Sequence, residues 1–176
     1  MTPFADTTTN ILAFSTLGVQ IASVVLLVAL IAHAKFLSRL APYVLPFALL
    51  ITFAGSALTL LYSEVFGFAP CFLCWVQRAF LYPMPLLLLL ALWKQSDAAR
   101  KAVLGLSVPG AIVALYQHYL QIGGESFVPC PAVPGAADCG KRLIFEFGYI
   151  TFPLMAFSVF VFVFLLMLVA AKRKTV

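Results

Sequence analysis

Apolar residues fall along this chain in five long runs of about twenty residues each, separated by short polar stretches. A hydrocarbon core about 30 Å thick is crossed by about 20 apolar residues of α-helix, so the runs predict five membrane-spanning helices and leave no room for a separate soluble domain. The first extends from about Asn10 to Ala32 and is followed by a short basic loop, 33–39. The second runs from about Tyr43 to Tyr62, with Pro46 near its start. The third, roughly Leu73 to Trp93, contains Pro83 and Pro85. Proline inside a span removes a helical hydrogen bond and predicts a kink, tolerable where neighbouring helices or waters satisfy the freed carbonyls. A second basic loop, 94–101, leads to a fourth span from about Val103 to Ile122 that includes Pro109 and Gly110. The longest polar loop, Gly123 to about Phe147, precedes a fifth span from about Gly148 to Ala171, which ends in Lys172-Arg173-Lys174.

Met1 to Thr9 carries Asp6 and no Lys or Arg. It lacks the basic start and small-residue cleavage site of a secretory signal, so the first run is expected to be a retained helix. With no internal repeat, low-complexity tract or linker, residues 1–176 read as a single transmembrane helical domain, in which a helix at about 10–32 precedes a core at about 43–171.

Composition agrees with this class: 64% of residues are apolar and 10% charged, and the mean hydropathy is +1.08. Those values lie far outside the range of soluble domains. The formal charge of +5 is spread over loop ends, with no basic patch interleaved with aromatics, and so does not indicate nucleic-acid binding. It serves as a topology signal instead. With the amino terminus outside, Lys35, Arg39, Lys94, Arg100, Lys101, Lys172, Arg173 and Lys174 are cytoplasmic, against Arg78, Lys141 and Arg142 on the other face. That bias favours an outer amino terminus and a cytoplasmic carboxyl terminus.

In this topology all four cysteines face outward, into the periplasm or its equivalent, a compartment that sustains disulfides. Cys71 and Cys74 stand three apart at the mouth of the third span, with Arg78 one helical turn beyond Cys74. A helix start carries partial positive charge, so a cysteine in its first turn beside Arg78 would be held as the attacking thiolate. Cys130 and Cys139 enclose eight residues that include Pro131, Pro134 and Gly135, a loop able to close a disulfide and open it again. Two dithiols on one face can pass a disulfide between them. Buried cysteine is often a small apolar filler, and four cysteines can hold zinc. The second pair lacks tight spacing and no histidine joins either loop, however, so no metal site is expected.

The run Leu61-Tyr62-Ser63-Glu64-Val65-Phe66-Gly67-Phe68 leading into Pro70-Cys71-Phe72-Leu73-Cys74-Trp75-Val76-Gln77-Arg78, then Tyr82-Pro83, Asp138-Cys139 and Phe147-Gly148-Tyr149-Ile150-Thr151-Phe152-Pro153, resembles the DsbB/BdbC family of disulfide-bond-formation membrane proteins from roughly Leu60 to the end of the fifth span. The resemblance implies an all-α membrane protein, a four-helix DsbB-like bundle with an additional amino-terminal helix, in the bacterial cytoplasmic membrane. It implies a quinone-linked thiol oxidase, using ubiquinone or menaquinone, that reoxidises a DsbA-like thioredoxin-fold protein. By the same resemblance, Cys130 forms the mixed disulfide with that partner and Cys139 is its loop mate. Cys71 exchanges with the loop pair, and Cys74 faces the quinone in a thiolate-quinone charge-transfer pair. Arg78 stabilises thiolate and reduced quinone, and His118 matches a histidine placed near the quinone in some members. The first helix has no counterpart in the family core, and the second-pair loop is closer to the BdbC form.

Other readings are a vitamin K epoxide reductase-like enzyme, in which the loop cysteines precede the C-x-x-C, a scaffold whose cysteines staple its outer loops, and an electron importer, which would want cysteines inside the spans. Phe72, Trp75 and Phe80 are candidates to line a quinone pocket, although aromatics at this depth more often anchor the membrane interface.

Overall fold

The computed structural model describes residues 3–127, 130 and 137–172, and it is all-helical in its regular elements. Helix α1 covers Pro3–Ile31, α2 Phe36–Leu60, α3 Phe72–Leu81, α4 Pro83–Trp93, α5 Asp97–Gln121 and α6 Phe152–Lys172. Taking α3 and α4 together, five helical segments among the described residues are long and apolar enough to span a bilayer. This is a multi-pass membrane protein. Arg173 and Lys174 of the terminal basic run, and Pro131, Pro134 and Gly135 of the cysteine loop, lie outside the described residues.

Several expected boundaries move, each for a local reason. His33 takes a positive φ of 50° and closes a tight turn, so α2 begins at Phe36 and carries Arg39, Pro42 and Pro46 without a break. The expected basic loop 33–39 is therefore mostly helix. Ser96 caps α5, its hydroxyl accepting from Ala99 N at 3.3 Å, and starts that helix six residues before Val103. At the fifth span the order is reversed. Phe147 and Gly148 adopt φ of 52° and 78° in a tight antiparallel turn that pairs Glu146 with Ile150, so the helix waits until Phe152. The third span is interrupted where proline predicts: Pro83 lacks the N–H that would bond Ala79, so α3 ends at Leu81 and α4 begins at Pro83, with Tyr82 between them in helical conformation. Pro109 stays within a continuous α5.

The bundle is a ring in which α2 packs on α4, α4 on α5, α5 on α6 and α6 on α2, while α3 leans on α5 and α1 lies outside against α6. Helix α6 is the hub, with 56% of its span buried against 17% for α1. Close approach of α5 to α6 depends on Gly110, where a Cβ would stand 2.5 Å from the ring of buried Phe160. Met84, Leu88, Val44, Val103 and Val163 fill the centre. Buried Thr52, Ser107 and Ser158 return their hydroxyls to carbonyls one turn earlier, as backbone and side chain must be satisfied inside lipid. Ile21, Val24 and Val28 on α1, and Tyr43, Leu50 and Phe53 on α2, point outward, where the solvent is hydrocarbon.

Candidate active site

The carboxyl end of α2, the start of α3, the end of α5 and the start of α6 meet at one end of the bundle. Helix α2 passes there into a π-helical turn, Leu61–Val65, a local widening that recurs at functional sites. The chain then reverses through Gly67, whose φ of 70° suits glycine, with Phe68 N donating to Tyr62 O at 3.0 Å. Pro70 delivers Cys71 in extended conformation as the cap of α3.

That cap brings the first pair together. Cys71 Sγ accepts from Cys74 N at 3.2 Å, and the two sulfurs are 2.6 Å apart, both as free thiols. Gln117 of α5 donates from Nε2 to Cys71 Sγ at 3.0 Å and to Cys74 Sγ at 3.3 Å, while its Oε1 accepts from Gln77 Nε2. Both amides are buried, so this is a closed polar relay inside an apolar bundle. Hydrogen bonding to Cys74, and then burial, push the Cys71 thiol above its usual range, outweighing the opposing pull of the Cys74 N–H and Gln117.

Arg78 lies one turn below Cys74 and is buried, at 7% exposure. Its Nη2 donates to Thr59 O at 2.8 Å and to Ser63 Oγ at 3.2 Å, both at the π-helical end of α2, and its guanidinium lies 5.1 Å from the centre of the Trp75 ring. Its Nη1 is buried without a hydrogen bond among the described residues. Beside it is a cavity of about 300 Å³ to which Arg78, Cys74 and Gln77 contribute from α3, Thr59, Tyr62 and Ser63 from the end of α2, and Phe152 and Phe160 from α6. Cys71 is not on its wall.

The second pair is joined as a disulfide, Cys130–Cys139. Cys139 is buried in one small cluster with Cys71 and Leu120, and Cys74, Leu73, Tyr116 and the half-buried Cys130 pack against it. Gln121 of α5 holds the loop down through its Nε2 to Lys141 O at 3.2 Å, and Asp138 Oδ1 accepts from Gly140 N at 2.8 Å within the turn. The cysteines expected to exchange with one another thus share one neighbourhood.

His118 goes elsewhere. Its Nδ1 bonds Thr151 Oγ1 at 2.8 Å, and that hydroxyl also accepts from Leu154 N in the first turn of α6; His118 does not line the cavity. Nor do Phe72, Trp75 and Phe80; Phe72 and Trp75 are exposed, and the aromatics on the wall are Tyr62, Phe68, Phe152 and Phe160. Gln77 and Gln117, each the neighbour in sequence of an expected site residue, join the site through contacts that the linear pattern does not show. The available signal was cost: an amide inside a span is expensive without a partner, so two such residues at this depth imply each other or a site.

The cavity wall is largely hydrocarbon, and Arg78, Gln77, Gln117 and Cys74 are among its few polar side chains, a lining that suits an apolar group with a few polar atoms.

The family profile described as "Disulfide bond formation protein DsbB" matches residues 38–171. The SPbeta prophage-derived disulfide bond formation protein B of Bacillus subtilis is 39% identical over 125 residues, 69% of this chain and 83% of that protein. Disulfide bond formation protein C of the same organism is 32% identical over 126 residues, 72% of this chain and 88% of its own. A probable disulfide formation protein of Chlamydia caviae is 32% identical over 141 residues, 80% of this chain and 98% of that protein. No solved structure matches.

Proposed function

This chain belongs to the DsbB family of disulfide bond formation proteins, and from that premise we propose that it is a quinone-dependent thiol oxidase that reoxidises a DsbA-like thioredoxin-fold protein outside a bacterial cytoplasmic membrane. The observation that carries this reading is that two adjacent sulfurs link two places. Cys71 is buried in the cluster of the loop pair, and Cys74, which packs against that cluster, also stands on the cavity wall with Arg78.

A quinone, ubiquinone or menaquinone, supplies in that cavity an acceptor for two electrons and two protons. The protein's own residues do the rest. Cys130, the less buried of its pair, takes the attack of a partner thiolate; the Cys130–Cys139 bond breaks, a mixed disulfide forms at Cys130 and Cys139 leaves as thiolate. The partner's second thiol displaces Cys130, so the partner leaves oxidised and the loop pair is a dithiol. With Cys71 and Cys74 in their disulfide form, Cys139 attacks the adjacent Cys71 and Cys74 leaves toward the cavity. Cys130 then displaces Cys71 and restores the loop disulfide. The electron pair now resides on Cys71 and Cys74 as thiols. Gln117 holds both sulfurs by hydrogen bonds, and Arg78 places positive charge beside Cys74. With a quinone bound, closing the Cys71–Cys74 disulfide would release the two electrons and two protons that the quinone takes up. His118 acts at one remove, by holding Thr151 and with it the first turn of α6, whose side chains Phe152 and Pro153 reach the wall.

Charge supports the orientation in this reading: Lys35, Arg39, Lys94, Arg100 and Lys101 lie at the end opposite the cysteines, a bias that favours a cytoplasmic carboxyl terminus and an outer amino terminus. The test is to supply purified protein with quinone and a reduced thioredoxin-fold protein and follow quinone reduction optically. Cys74→Ser should abolish quinone reduction, and Cys130→Ser should block oxidation of the partner. Unchanged quinone-dependent activity in Cys74→Ser would overturn the assignment.

A further inference from the structure

We propose that α1, the helix that precedes the family-matched region 38–171, is a wall of the acceptor cavity and helps to set which quinone head group it accepts. The inference rests on the quinone reading above. Leu12, Ser15, Thr16 and Val19 all line the cavity. They are spaced i, i+3, i+4 and i+7, so a single helical face meets it. The hydroxyls of Ser15 and Thr16 are turned onto the carbonyls of Ile11 and Leu12 at 2.8 Å, which leaves mainly hydrocarbon toward the cavity.

The same helix is pinned where a wall needs support. Thr9 Oγ1 and the hydroxyl of Tyr62, itself a cavity residue, are 2.8 Å apart. Gln20 Nε2 donates to Ser158 Oγ of α6 at 3.1 Å, and Gln20 Oε1 accepts from Tyr149 OH at 3.0 Å. Phe14 meets Phe147 edge-on with centroids 5.1 Å apart. Two of these four contacts, those to Tyr62 and Ser158, fix α1 to elements that themselves border the site, the end of α2 and α6. A helix serving only as an anchor in lipid needs apolar surface on every side; Ile21, Val24 and Val28 supply that on the outer face, while the cavity face is kept small.

The test is quinone binding by full-length protein in lipid nanodiscs, measured by equilibrium titration with a short-tailed ubiquinone and with a menaquinone. Thr16→Phe and Val19→Phe, which fill the cavity from α1, should each weaken ubiquinone binding about tenfold or more, given that one methylene in an apolar pocket is worth about 10- to 200-fold. Ile21→Phe, on the outward face, should bind as wild type. Val19→Ala adds no bulk and so covers the case in which the larger side chains disturb folding; it should shift preference toward the two-ring menaquinone head. Reduction of Cys130–Cys139 by dithiothreitol should proceed at the wild-type rate in every variant, which reads the fold independently of quinone. Wild-type affinity in Thr16→Phe and Val19→Phe, or an unchanged head-group preference in Val19→Ala, overturns the role of α1 while leaving the quinone reading in place. If the wild-type protein takes up neither quinone, both readings fall together.

Discussion

Replacing Gln117 by leucine is the sharpest probe of the relay. The substitution keeps the volume nearly constant and removes three polar contacts: two N–H···S bonds, to Cys71 and Cys74, and the acceptor for Gln77 Nε2. The two sulfur bonds act on the chemistry. A hydrogen bond to a charged group is worth about 1.5–3 kcal/mol, so losing the support of a developing thiolate should slow electron transfer about 10- to 150-fold. The third contact acts on the fold, because Gln77 is left buried with an unsatisfied amide, a cost of about 1–3 kcal/mol. The two consequences separate in the double variant Gln77→Leu/Gln117→Leu. Removing both amides relieves the orphan and should return most of the stability, whereas the rate should stay as low as in Gln117→Leu. Single-turnover quinone reduction and thermal unfolding in the same detergent read the two quantities. A Gln117→Leu rate within twofold of wild type, or a double variant no more stable than the single one, would refute the reasoning.

Two further substitutions test the geometry around this relay. Arg78→Lys preserves charge but loses the planar fork that holds Thr59 O and Ser63 Oγ beside the cavity, so quinone should bind about tenfold more weakly, a difference of about 1.4 kcal/mol visible by titration. Gly110→Ala places a methyl 2.5 Å from the Phe160 ring and should destabilise the protein by about 1–3 kcal/mol in denaturant unfolding. Gly105→Ala in the same helix meets open space and should be neutral or gain up to about 1 kcal/mol from helix propensity.

What could be read from the chain is what depends on neighbours in sequence. Five spans follow from hydropathy alone, and Cys71, Cys74 and Arg78 lie within one stretch of helix start whose geometry is local. Boundaries were legible where a cap announces itself, as Ser96 followed by Asp97 does, and the expectation that α5 began near Val103 overlooked that signal. What stayed hidden depends on partners distant in sequence. Gln117 matters because α5 crosses α3 at the height of the cysteines, 40 residues from Gln77 along the chain. His118, one residue further, is turned by about 100° around the same helix and meets Thr151 instead. The role of α1 was illegible for the same reason: its four cavity residues are ordinary membrane residues until α6 and α2 are placed beside them.

How one turn of helix can serve two sites follows from its backbone. Residues three apart on a helix point nearly the same way, so two helical cysteines at this spacing would share one environment. Cys71 is not helical: as the cap it has ψ of 172°, and its sulfur folds back over the first turn to meet Cys74 while its other side stays against Leu120 and Cys139. Cys74, two residues inside the α3 start at Phe72, is carried to the cavity. The cavity wall that Cys74 reaches is shared by the end of α2, by α6 and by α1, so one side of this helix start borders the acceptor space while the cap residue stays with the loop pair.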